Sequence, residues 1–81
     1  MITFNDVYEE LKEMILEVKD FEEEEIHPHM TLEELDFDSL DFVQLTVIVK
    51  KKFDVTLTGE PFEAGEVKNL KDVCEHVVGL A

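Results

Sequence analysis

Leu35-Asp36-Phe37-Asp38-Ser39-Leu40-Asp41-Phe42-Val43-Gln44-Leu45 lies mid-chain, where an acidic loop gives way to an apolar-periodic segment. Asp38 is a good N-cap. Asp41, three residues on, can reach back to its backbone, so the spacing predicts a helix starting at Ser39. A serine in a first helical turn points its hydroxyl outward beside N–H groups that lack intrahelical partners. The positive end of the helix dipole favours an anion there. The position suits a serine that carries a phosphodiester. It does not suit a serine nucleophile, because no histidine is near in sequence and no Gly-x-Ser-x-Gly turn surrounds it. Serines near helix starts are common for capping reasons alone, so the stretch takes its meaning from the rest of the chain.

Downstream, the central helix is predicted to run from Ser39 to Phe53. Leu40, Val43, Val47 and Phe53, with Leu45, Ile48 and Val49, are apolar around more than one narrow stripe. Such a helix is central to a small domain, or also presents apolar surface to partners; burial is expected for most of these side chains. Upstream, Thr3 with Asp6 marks a helix start, and Phe4, Val7, Leu11, Met14 or Ile15, and Val18 recur at helical spacing. A first helix is predicted over 4–19, with Glu9, Glu10, Lys12, Glu13 and Glu17 on a solvated face.

A long connection follows. In it Glu22–Glu25 reads as solvated, and Phe21 and Ile26 read as inward anchors. His27-Pro28-His29 makes no closed metal-ligand set, so the histidines read as loop residues and no metal site is expected. Thr31 with Glu34 forms a capping box for a turn over Leu32–Leu35, whose leucines pin the loop to the core. After Phe53, residues 54–59 read as loop. Pro61 suits a first helical position, but Gly65 weakens so short a helix, so one irregular turn is expected over 61–66. Asn69 with Asp72 caps a last helix over 70–79, with Leu70, Val73, Cys74 and Val77 inward. Cys74 is read as a core residue, not a nucleophile.

Eighty-one residues make one domain, 1–81, near the small end of what folds unaided. The formal net charge is −14, from 21 acidic and 7 basic residues. That argues against nucleic acid and anionic membrane as partners, and favours basic protein surfaces met in fast, salt-sensitive encounters. An apolar content of 44% and the helical periodicity argue against disorder. A single cysteine allows no internal disulfide and fits a reducing compartment. With no signal peptide or membrane-spanning run in sight, the expected location is the cytoplasm.

Asp38-Ser39-Leu40-Asp41, followed by Val43, Leu45 and Phe53-Asp54, resembles the acyl carrier protein family. The short motif recurs by chance elsewhere. Here size, acidity, the Leu35 lead-in, the helix after the serine and the last helix also agree, over nearly the whole chain. The resemblance implies that Ser39, flanked by Asp38 and Leu40, receives 4′-phosphopantetheine from coenzyme A through a separate, Mg²⁺-dependent phosphopantetheinyl transferase. It implies a carrier with no catalytic residue of its own, delivering acyl thioesters to enzymes of fatty-acid, lipid or secondary-metabolite synthesis. By position, the partner face is Leu40, Asp41, Gln44, Val47, Lys50 and Lys51. An acyl pocket would use Leu32, Val49, Leu57 and Phe62. The implied fold is all-α: a small bundle of three main helices, a short irregular third segment and a long first loop, acting as a monomer with the central helix exposed.

The chain also departs from the family. Asp36 stands where the fatty-acid carriers usually have glycine; if a positive φ is needed there, Asp is the next most tolerant choice. Gln44 replaces a glutamate, and Lys50-Lys51-Lys52 replaces an acidic run. The lysines suit the negative end of a helix dipole, and they also repel basic partners, which favours a specialised carrier. The segment before the last helix is about two residues longer than usual. Two other readings remain open: an aminoacyl, D-alanyl or peptidyl carrier, and an unmodified acidic helical adaptor in which Ser39 is only a helix-start residue.

Overall fold

The computed structural model describes residues 2–81 and is built from helices: α1 (Phe4–Val18), α2 (Ser39–Phe53), α3 (Glu60–Glu63) and α4 (Leu70–Leu80), with a 3₁₀ turn at Glu23–Glu25. The all-α expectation holds. α1 ends one residue early and α4 one residue late, within the usual fraying of helix ends.

Each long helix starts on the cap its sequence supplies. Thr3 and Asp6 form a reciprocal capping box on α1, as do Asp38 and Asp41 on α2. The Asn69 side chain accepts from the Asp72 N–H at the start of α4. Val7, Leu11, Met14 and Ile15 form the inner face of α1, and Leu70, Val73, Cys74 and Val77 that of α4. α1 packs against α4 and α2. Leu45 and Val49 are the core contribution of α2.

The long connection is ordered by local turns and by docking on the approach to α4. Ile26 is buried, and Phe21 is half-buried against the core. Tyr8 donates to the Ile26 carbonyl at 3.4 Å. The Thr31 hydroxyl accepts from the Glu34 N–H at 3.0 Å, closing the predicted capping box, and Leu35 is fully buried beneath that turn. Thr31 makes an isolated antiparallel bridge with Asn69. Leu70 N–H donates to the Met30 carbonyl at 3.0 Å, and Lys71 N–H to the Pro28 carbonyl at 2.8 Å. Two first-turn donors of α4, which the helix itself cannot satisfy, thus find partners in the loop.

α3 is one turn long, and Pro61 is its second residue, not its first. Gly65 has φ +77°, with its N–H on the Phe62 carbonyl (3.3 Å) and the Glu66 N–H on the Pro61 carbonyl (2.9 Å). This is a Schellman closure. The expected short third segment of one turn is present, and Gly65 terminates it instead of weakening it from within. Among the described residues, no helix is long and apolar enough to cross a membrane.

Candidate functional site

The loop that delivers Ser39 requires a left-handed residue. Asp36 takes φ +56°, a left-handed conformation that Asp tolerates next best after glycine. The chain then extends through Asp38, whose side chain accepts from the Asp41 N–H at 3.0 Å, and enters α2 at Ser39. Ser39 is exposed, and it is the chain's one serine. The N–H groups of the first turn lie at the same helix end, where partial positive charge favours an anion.

Asp41, expected on the exposed outer face of α2, does not lie there, which corrects its placement. It is buried, and its Oδ2 meets Lys19 Nζ at 2.6 Å, with only 12% and 17% of the two side chains exposed. The same ammonium donates to the Asp36 carbonyl at 2.6 Å. Lys19, the residue capping the end of α1, thus holds both the left-handed turn and the first turn of α2. Its hydrogen bond lowers the Asp41 pKa from the ordinary value, with help from the Asp38 N–H, while Lys19 is raised by the same contact. Nothing local in the sequence points to this pair, because the partners lie far apart along the chain.

The outer face of α2 carries Leu40, Val43 and Val47, which are 78, 55 and 56% exposed. Burial was expected for most of the apolar residues of α2, yet only Leu45 and Val49 are fully buried, Ile48 and Phe53 are half-buried, and Leu40 and Val47 lie exposed on the outer side. Gln44, Lys50 and Lys51 are exposed on the same face. Val43 was not among the predicted partner residues, although its i+4 relation to Ser39 puts the two on one side of the helix. Lys50 pairs with the Asp54 carboxylate at 2.9 Å; Asp54, at φ +56°, is the left-handed cap of α2.

Two grooves run beside this face. One of about 380 Å³ begins at Ser39 and is lined by Phe37, Asp38, Phe42, Val43, Phe62 and Glu63, among others. The Phe42 and Phe62 rings meet edge to face across α2 and α3, with centroids 4.7 Å apart. The second, of about 520 Å³, lies further along α2 between Val47, Lys50, Lys51 and Leu57. The four predicted pocket residues belong to or pack against one hydrophobic core, but they line no common groove. Phe62 lines the first groove and Leu57 the second, while Leu32 and Val49 line neither. Val49 is fully buried because it faces the core side of α2. Phe37 and Phe42, which sequence reasoning missed, lie two residues before and three after the serine.

The phosphopantetheine attachment site family matches residues 9–77 of this chain. An acyl carrier protein of Helicobacter hepaticus (strain ATCC 51449 / 3B1) is 32% identical over 73 residues, covering 89% of this chain and 93% of that protein. The chain belongs to the acyl carrier protein family. As a member of that family it is a carrier and not an enzyme, and its prosthetic group is 4′-phosphopantetheine. No solved structure matches the chain. The residues around Ser39 fit such a group. An exposed hydroxyl stands at the anion-favouring end of a 15-residue helix, beside an apolar-lined groove that can receive an arm.

Proposed function

We propose that Ser39 carries the phosphopantetheine arm and that the outer face of α2 docks the enzymes that load and unload it. When attached, the arm supplies a terminal thiol on which acyl intermediates of fatty-acid, lipid or secondary-metabolite synthesis are held as thioesters. The observation that carries this reading is the position of the chain's one serine. It is exposed at the head of α2, and the exposed apolar stripe Leu40, Val43 and Val47 continues directly from it.

The chain's own residues divide the work. Asp38 and Asp41 cap the helix end that presents the hydroxyl. Lys19 neutralises Asp41 and fixes the preceding turn. Leu40 and Val47 offer apolar contact to a partner, and Gln44, Lys50 and Lys51 border that contact with polar and basic groups. Acidic residues across the rest of the surface steer basic partners such as a phosphopantetheinyl transferase, and the contact is weak enough to release quickly. The tether raises the local concentration of cargo at each docked enzyme.

Native thiol titration tests the reading. Cys74 is fully buried, so the unmodified folded protein should show no reactive thiol. After incubation with coenzyme A, Mg²⁺ and a broad-specificity transferase, one reactive thiol should appear, and Ser39→Ala should prevent it. A folded wild-type protein that gains no thiol with several transferases would refute the reading in favour of an unmodified adaptor.

A further inference from the structure

The groove at Ser39 is built differently from an opening into the core. Phe42 on α2 and Phe62 on α3 are each half-buried, and their rings bridge the cleft between the two helices edge to face at 4.7 Å. Phe62 packs against the hydrophobic core, in which Val49 is fully buried and Leu57 nearly so. Outside them, with the half-exposed Phe37 and with Val43, the rings line the groove that Ser39 itself borders. Asp38 and Glu63 place carboxylates among its lining residues. The occupant best matched to this groove is the group attached at Ser39, because one lining residue is its point of attachment.

We propose that Phe42 and Phe62 are specificity-determining residues that bar a long alkyl chain from the core, and that the carrier's cargo is a short acyl group lying in the external groove against Phe37, Phe42 and Phe62. This rests on the reading of Ser39 as the attachment site. To enter between α2 and α3, a long chain must part the ring pair and displace core contacts. A short acyl group covers the exposed ring faces and leaves the pair intact. A longer chain gains little more here, because the groove is open to solvent and leaves its distal methylenes largely wet.

The test uses the full chain loaded at Ser39 from four-, eight- and twelve-carbon acyl-coenzyme A. Intact mass confirms each load, and urea unfolding gives the stability. Each methylene taken out of water is about a fourfold factor in the folding equilibrium. The wild-type unfolding constants should stay within about fourfold across the series, equivalent to at most one additional buried methylene. Phe62→Ala, which opens the cleft, should make stability climb with chain length, and Phe42→Leu should do so more weakly. A wild-type midpoint that climbs steadily from four to twelve carbons overturns the inference without any variant. A Phe62→Ala series as flat as the wild type removes the role given to the rings. Absence of any mass gain overturns the attachment reading along with the inference, whereas a gain followed by climbing wild-type stability overturns the inference alone.

Discussion

Leu35 and Leu40 are the same residue type five positions apart on either side of Ser39, and the structure gives them opposite roles. Leu35 is fully buried beneath the turn that feeds α2; Leu40 is 78% exposed on the helix's outer face. Truncating a fully buried leucine to alanine costs about 3 kcal/mol, combining lost transfer energy with the cavity left behind. A domain of this size has a total stability of about 4–12 kcal/mol, so Leu35→Ala removes a quarter or more of it. The unfolding constant should rise by about 150-fold. The melting temperature should fall by about 12–24 °C, at about 4–8 °C per kcal/mol for a small domain. Leu40→Ala, with no cavity to leave, should stay within about 0.5 kcal/mol of wild type. Urea unfolding followed by far-UV circular dichroism compares the three proteins under one condition. A Leu35→Ala cost below about 1 kcal/mol would refute the placement of Leu35 in the core. A Leu40→Ala cost matching that of Leu35→Ala would refute the exposed face.

Other expectations follow from the ionisable groups and the backbone. The Asp41 pKa is depressed by Lys19, so this carboxylate's stabilisation is fully present above the ordinary value of 3.8 and lost as pH falls through the lower folded value. Asp41→Asn should therefore be less stable than wild type at neutral pH, with the gap closing in acid; a gap that persists below the folded value would contradict the ion pair. Burial pushes the Cys74 thiol up to about 12 from an ordinary 9.0. The folded thiol stays protonated while the unfolded one ionises, so stability should fall as pH rises through that window, and Cys74→Ala should flatten that part of the decline. Gly65→Ala forces a side chain onto φ +77° and should cost about 1 kcal/mol, read as a shift in urea midpoint; no shift would mean that α3 does not close on a left-handed residue.

What the sequence made legible was local. The caps at Thr3, Asp38 and Asn69 and the turn box at Thr31 each depend on residues within four positions, and all appear in the structure. The role of Gly65 was not legible because a Schellman closure is a six-residue hydrogen-bond pattern, and composition alone reads a glycine as a helix breaker. Asp41 was legible as a capping residue but not as an ion-pair partner, because Lys19 reaches it only after the long connection folds back. α2 was ambiguous for a physical reason: it is apolar on both the side facing the core and the side facing solvent, so periodicity could not say which leucines and valines were covered. The groove at Ser39 was partly hidden in the same way, since Phe42 and Phe62 meet only through the packing of α2 and α3.

Attachment at Ser39 is the claim on which the rest depends, and peptide-level mass spectrometry tests it most directly. The protein would be treated with coenzyme A, Mg²⁺ and a transferase, then cleaved after lysine. The fragment between Lys19 and Lys50 contains the one serine. This fragment alone should gain one phosphopantetheinyl group, localised to Ser39 on fragmentation, and Ser39→Ala should abolish the gain. A modification found on a threonine or on Cys74, or a folded protein that remains unmodified, would contradict it.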